Sequence, residues 1–465
     1  MRREAPYFAM ALGLAISSLM VVSSKYFFLA PAVPLSIIAL FVLYRFPEYG
    51  LLTFIFFIPL EGLFAGNSLF TGPKLIGIAL IAIVSIRILW KQIPMSNLRN
   101  PIWYPVLFLV LAFGISTILS PHPSISLQSF KQLLTGISVF YITLAIKDQV
   151  NPLQFARVIV ISVGITALIA LAAGDNTKES RAVGLLTDPN YFALLLTFAA
   201  PFAIYLVLYE KILVIRLFWS VLLILLMVSF EKTLSRSGLV VLVLVIGILA
   251  LHYKAHLRNF NVAQITLMLT GVGLLAATLI FLAPQEYRDR IVSLTNLSSG
   301  VHTFEDRSLG RRSSYIVVAL EEFKKNPILG AGPGIFPLRY AESGYAAAFS
   351  LSKNEPELFR RAHNTYLETL AETGILGLFS LCGIIWVGLR QLRLGIRLQL
   401  RSGRGRQAAF TAHFFAAFCA IVLFFLFLTG INNKYFWILL ALSGCFSYSK
   451  STSATKGMTM KKVRA

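Results

Sequence analysis

The sequence predicts an all-α protein that crosses a membrane many times, and two observations carry that expectation. Hydrophobic residues make up 57% of 465 positions and the mean hydropathy is +0.75, too apolar for a soluble domain of ordinary composition. Apolar runs of spanning length also recur from end to end. They include YFAMALGLAISSLMVVSS (7–24), LIGIALIAIVSIRILW (75–90), NYFALLLTFAAPFAIYLVLY (190–209), GLVVLVLVIGILALHY (238–253) and FTAHFFAAFCAIVLFFLFL (410–428).

A hydrocarbon core demands roughly 20 helical residues, which most of these runs approach while some are short, and helices pair their own backbone groups inside it. On that length rule the chain holds about 12–14 transmembrane helices. They divide into an N-terminal bundle over 1–283 (about 11 spans), a large loop over 284–370, C-terminal helices over 371–449 and a basic tail over 450–465. The start, MRREAPYFAMALG, has a basic tip but no small-residue cleavage site after its apolar run, so it reads as a first span.

Cys382, Cys419 and Cys445 all fall in apolar runs, a placement that suggests neither a disulfide framework nor a metal site. The net charge of +22 reflects topology rather than nucleic-acid binding, because cytoplasmic loops collect Lys and Arg. The segment RQLRLGIRLQLRSGRGR (390–406) has six arginines and no acid, and the tail is basic too. Two spans, 410–428 and 433–448, lie between them, so both fit on the cytoplasmic side. Counting back, 284–370 falls outside, as do GDNTKESRAVGLLTDPN (174–190) and EKTLSRSG (231–238). Arg181, Arg236, Arg311 and His363 then share the non-cytoplasmic face, at span ends rather than at the midplane.

Each of these residues has a bland reading beside a functional one. Arg236, in TLSRSGLVVLVL, could snorkel to the interface, yet positive-inside bias disfavours spare arginines at outer helix ends. Ser235 and Ser237 flank it with hydroxyls that could help hold an anion. Arg181 precedes Asp188-Pro189-Asn190, which reads as a turn and helix start, and Arg181 could merely pair with Asp188 or Glu179.

In SLGRRSSYIVVALEEFKKNPILGAGPGIF (308–336), Tyr315, Ile316, Ala319, Leu320 and Phe323 make one apolar face. That pattern predicts an amphipathic helix lying on the outer membrane surface, stopped by Asn326-Pro327. Arg311 and Arg312 stand at its predicted start, with Ser313 or Ser314 as cap, where a helix N-terminus favours an anion. GAGPG lacks the Lys-Ser/Thr of a P-loop and reads as a flexible turn.

His363 is the candidate base. It precedes Thr365-x-x-Glu368, which reads as a capping box, and the helix end together with Arg360 and Arg361 favours a neutral imidazole able to accept a proton. An interfacial histidine bonded to a backbone carbonyl is the alternative. No Asp-x-Asp, His-rich cluster or Cys pair suggests a metal, and no Gly-x-Ser-x-Gly nucleophile elbow occurs.

Taken together, RAVGLLTDPNYFA (181–193), SRSG (235–238), GRRSSYIVVALEEFKKNPILGAGPGIF (310–336) and HNTYLETLAETGILGL (363–378) resemble the O-antigen ligase and O-antigen polymerase superfamily of bacterial membrane glycosyltransferases. The resemblance covers residues 180–430 best, and Tyr315 stands where the family often has Trp. It implies a C-type glycosyltransferase-like fold in the bacterial inner membrane with its active site facing the periplasm. It also implies transfer of a glycan from a polyprenyl (undecaprenyl) diphosphate carrier to an acceptor hydroxyl, with no metal, nucleotide or other cofactor.

By the same resemblance His363 would deprotonate the acceptor, while Arg236 and Arg311 would bind the diphosphate. Arg181 would be a supporting contact and Arg312 a substitute for Arg311, with Asn364 and Ser235 in support. The acceptor would be lipid A-core for a ligase, another carrier-linked glycan for a polymerase, or a Ser or Thr for a protein-glycosylating relative. Membrane lipid is the expected surrounding partner and nucleic acid is not. A transporter or flippase is the rival from another class, but such proteins place ionisable residues near the midplane in interrupted helices.

Overall fold

The computed structural model describes residues 32–64, 71–172, 177–178, 181–186, 188–257, 307–349 and 358–446. The expected span at 7–24, the start of the large loop and the basic tail lie outside the described residues. The described part is helical apart from one antiparallel hairpin, β1 (Thr177–Lys178) with β2 (Arg181–Ala182).

The helices in chain order are α1 (Ala32–Arg45), α2 (Pro47–Phe57), α3 (Gly72–Leu89), α4 (Trp103–Leu119), α5 (Pro123–Ala145), α6 (Pro152–Ala172), α7 (Pro189–Tyr209), α8 (Leu213–Lys232) and α9 (Arg236–Leu257). After the undescribed stretch come α10 (Arg307–Lys325), α11 (Phe336–Glu342), α12 (Gly344–Phe349), α13 (Thr365–Arg401), α14 (Gly405–Phe424) and α15 (Lys434–Ser443). Among the described residues 7 helices are long and apolar enough to cross a membrane, or 8 if α1 and α2 count as one span bent by 112°. Pro47 opens α2 directly after that bend, where a missing N–H costs nothing. Two shorter apolar helices, α4 and the one beginning at Lys434, bring the arrangement nearer to the expected count.

Burial sorts the helices as their composition requires. Apolar all round, α7 is buried along most of its length, the fate of a uniformly hydrophobic helix in a large bundle. Phe198 and Phe202 meet edge to face at 5.7 Å, and Phe202 meets Phe414 of α14 in the same way at 6.0 Å. By contrast α8 buries one stripe, Trp219, Leu226, Ser229 and Phe230, and leaves Val221 and Ile224 exposed as lipid-facing residues.

The arginine-rich segment expected as a loop is mostly helix. α13 runs through Arg390, Arg393, Arg397 and Arg401 and turns only at 402–404. From Ile375 to Arg401 it is about 40 Å long, longer than a hydrocarbon core of about 30 Å. It is therefore long enough for its basic end to reach past such a core.

Between Thr373 and Ile375, α13 is broken at Gly374, with φ 65° and ψ −163°. The segment after α10 docks into the break. Ala331 N–H donates to Ala371 O (2.9 Å), Gly332 N–H to Glu372 O (2.9 Å) and Ile375 N–H to Pro327 O (2.9 Å). A Cβ on Gly374 would lie 2.2 Å from Ile328 O, and one on Gly332 (φ +115°) would lie 2.4 Å from Ser120 Oγ. GAGPG is therefore a tightly packed clasp rather than a flexible turn. Its glycines are required by positive φ and close backbone approach.

Candidate active site

Four segments meet at one end of the bundle: the start of α7, the start of α9, the α10–α13 region and the α14–α15 connection. At the first, Asp188 caps α7 by accepting from Asn190 N–H (2.7 Å) and Tyr191 N–H (3.2 Å), as the Asp-Pro-Asn sequence predicts. Asn190 Oδ1 accepts from Arg181 Nη2 (3.3 Å) and from Ser235 Oγ (2.9 Å), while Arg181 Nε donates to Thr233 O (2.8 Å). Arg181 thus braces the hairpin against the starts of α7 and α9.

Arg236 is the first residue of α9. The turn before it places Leu234 at φ 50°, and Ser235 Oγ accepts from Gly238 N–H (3.1 Å). The hydroxyl expected to help hold an anion is committed to capping α9 and to Asn190. Ser235 and Ser237 are both buried.

The helix behind the candidate base starts one residue earlier than the Thr365–Glu368 capping box predicts. Asn364 is the cap, its Oδ1 accepting from Tyr366 N–H and Leu367 N–H (both 3.0 Å). Asn outranks Thr at that position, and the α14–α15 connection claims Thr365: its Oγ1 donates to Leu428 O (2.6 Å) and accepts from Gly430 N–H (3.0 Å). Glu368, released from the box, becomes a buried hub. Its Oε2 accepts from Ala362 N–H (2.9 Å) and Thr429 Oγ1 (2.6 Å), and its Oε1 from Arg361 Nε (2.9 Å) and Nη2 (2.5 Å). Tyr191 adds a bond from its hydroxyl to Thr429 O, tying α7 to the same connection.

His363 lies between two anchored residues, Ala362 held by Glu368 and Asn364 holding the helix. At φ 49° it occupies the left-handed region that L residues visit only when surroundings over-determine it. Its ring stacks on Tyr315, centroids 5.9 Å apart and planes 27° from parallel. Tyr315 is itself wedged edge-on against Tyr340 (4.8 Å) and Phe336 (6.5 Å). Tyr315, expected on the apolar face of its helix, also carries the histidine ring.

α10 begins at Arg307, which puts Arg311 and Arg312 in its second turn rather than at its start. Ser314 does not cap it; its hydroxyl donates back to Arg311 O (2.7 Å). The helix-end anion argument for these arginines therefore falls, and their guanidiniums must act directly. Only part of the predicted apolar face is exposed. Tyr315, Val318, Ala319 and Glu322 are buried against the protein, while Ile316 and Leu320 are exposed.

Burial is the main force on His363 and pushes its pKa down to about 4; the helix end is not the leading cause. Arg312 and Arg360 push the same way, and Asp188 and Glu368 oppose them. Arg311, Arg312 and Arg360 also act on Tyr315, whose hydroxyl burial pushes upward. A neutral imidazole thus sits among aromatic rings, with two guanidiniums, Arg312 and Arg360, and two opposing carboxylates, Asp188 and Glu368, within electrostatic reach. Such a group can take a proton, and the arginines can hold an anion beside it.

Arg360 acts on His363 as the sequence leads one to expect, whereas the roles of Asp188, Tyr191 and Glu368 in this cluster were not foreseen. Asp188 had a signal, since its capping sequence fixed where it stands, though not what it faces. Among the described residues no group of three or more His, Cys, Asp or Glu side chains is placed to hold a metal ion.

Residues 232–382 match a family model described as O-antigen ligase, a stretch that contains Arg236, Arg311, Arg312 and His363. No curated protein matches the chain. The family match supports the O-antigen ligase and O-antigen polymerase superfamily.

Proposed function

We propose that this multi-pass membrane protein, as a member of that superfamily, is a glycosyltransferase. It would move a glycan from a polyprenyl diphosphate carrier to an acceptor hydroxyl on the periplasmic face, as a ligase does with lipid A-core. The carrying observation is His363 itself: neutral, stacked on Tyr315 and within reach of the charges of Arg312 and Arg360.

In the reaction His363 takes the proton of the acceptor hydroxyl as its oxygen forms a bond to the anomeric carbon. The bond from that carbon to the diphosphate oxygen breaks, and the diphosphate leaves with the electron pair. Attack opposite the leaving group inverts the anomeric centre. Arg311 and Arg312, with Arg236 at the start of α9, counter the charge that develops on the leaving group, a role that fixed donors fill without reorganisation. Arginine suits it because a planar fork meets two phosphate oxygens at once.

A pKa near 4 is low for a base working at neutral pH. The donor's own negative charge, placed beside the ring, raises it in the complex, so basicity develops when substrate is bound. The test is single-turnover transfer from purified lipid-linked glycan. His363→Ala is expected to lose at least about 100-fold in rate while still binding donor. Transfer at the normal rate would remove the assignment of the base, and a rate unchanged by chelator is expected if the arginines alone counter the diphosphate charge.

A further inference from the structure

α7 links two polar ends. Asp188 caps it in the candidate site, and it closes at Tyr209–Glu210 after 21 residues, about 30 Å away and thus one hydrocarbon thickness. At that far end the start of α6, the end of α7, the start of α8 and the first residues of α14 enclose a cavity of about 260 Å³. Its polar lining is Arg157, Tyr205, Tyr209, Glu210, Lys211 and Arg406, three cations to one carboxylate.

That carboxylate is already engaged. Glu210 accepts from Lys211 N–H (2.9 Å) and Ile212 N–H (3.3 Å). Arg157 reaches it only at 3.5 Å and has no partner for its Nε. Arg406 spends one nitrogen on Tyr209 O (2.9 Å), and that bond fixes its guanidinium at the rim. Directly beside the cavity mouth, Ile212, Leu213 and Val214 are 57%, 64% and 74% exposed, an apolar strip on the outside of the bundle.

We infer that this cavity binds the phosphate headgroup of an anionic phospholipid, whose acyl chains run along the strip at the start of α8. A volume of about 260 Å³, at the small end of small-molecule sites, admits a phosphate headgroup. The adjoining exposed aliphatic residues favour a phosphate that carries chains over a free one. Basic pockets between membrane helices on the positively charged side hold such headgroups. The site is separate from the candidate active site by the length of α7, so the inference stands whatever reaction His363 performs.

The test uses the full chain in detergent, with native mass spectrometry and thermal unfolding as readouts. Phosphatidylglycerol, the zwitterionic phosphatidylethanolamine and inorganic phosphate are the probes. One tightly held phosphatidylglycerol per chain, with a raised unfolding temperature, is expected for the wild type. Arg157→Gln and Arg406→Gln should each weaken it about 5-fold, and both together about 25-fold. Lys91→Gln, away from the cavity lining, should leave it unchanged and controls for a general charge effect. Equal retention of the two lipids, or insensitivity to Arg157→Gln and Arg406→Gln, would overturn the inference. So would displacement of the lipid by millimolar inorganic phosphate, which would make the site one for a soluble anion.

Discussion

His363 and Tyr315 stack with ring centroids 5.9 Å apart, although one precedes α13 and the other lies midway along α10. The contact gives the imidazole a floor. Tyr315→Trp and Tyr315→Phe keep that floor and should retain activity within about 3-fold. Tyr315→Ala removes it together with an aromatic pair of about 0.5–1.5 kcal/mol. With the base left to wander, the transfer rate should fall by about 10- to 100-fold. Equal rates for the Ala and Phe variants would show that Tyr315 does not position the base.

Acid should act on the free and bound enzyme differently. With its pKa at about 4, His363 stays neutral in the free enzyme on acidification from pH 7 to about 5. Bound donor raises that pKa, so the acid limb of kcat should lie at higher pH than the limb of kcat/KM. Stability follows from the same shift. The unfolded chain takes up a proton near pH 6.5, while the folded chain resists until about pH 4. His363 therefore costs nothing above pH 6.5, and it destabilises the fold progressively as pH falls through that window. Melting of His363→Ala should accordingly lose less with acid than melting of the wild type, and identical pH dependence would contradict the depressed pKa.

Glu368 should matter more to the fold than to the chemistry. Its carboxylate joins Arg361, Ala362 N–H and Thr429, so it fixes the backbone just before His363. Glu368→Gln keeps the shape and some of the bonds, and should cost about 1–2 kcal/mol. Glu368→Leu strands the Ala362 N–H and the Thr429 hydroxyl, and should cost about 3–5 kcal/mol. Arg361 is 44% exposed along its side chain, so water recovers part of its loss and Arg361→Ala should fall between the two. Unfolding midpoints in detergent give the order, and identical midpoints for the Gln and Leu variants would refute the hub.

These residues show what a sequence can reveal of such a protein. The helices and the polar outliers were legible because charge in an apolar chain stands out and because hydrophobic length needs no tertiary knowledge. The starts of helices were less so. Asn364 and Thr365 both carry a capping oxygen, and only the α14–α15 connection, arriving from elsewhere in the chain, decides between them. α10 begins before its first apolar residue, so periodicity placed Arg311 too near its end. GAGPG looked loose because glycine is permissive, and the partner that makes it tight, the break at Gly374, is invisible until the chain folds. Glu368 became a hub only because Thr429 is brought to it.

The arginines should separate by function. Arg181 donates to Thr233 O and Asn190, groups that hold the starts of α7 and α9 together, so part of its hydrogen bonding is spent on the fold. Arg311 and Arg312 stand on α10, and their charges reach Tyr315. Removing Arg311 or Arg312 should weaken binding of a lipid diphosphate by about 10-fold or more, the scale of a charge-assisted bond, with little change in melting. Arg181→Ala should lower the melting temperature first, with donor affinity in the protein that remains folded falling less than in either of those variants. Arg236, the first residue of α9, faces a sharper test: Arg236→Lys keeps the charge but not the fork. If the fork holds the diphosphate, the Lys variant should recover only part of the binding that Arg236→Ala loses. Full recovery would mean that Arg236 serves only as a point charge, and no loss in the Ala variant would take it out of the site.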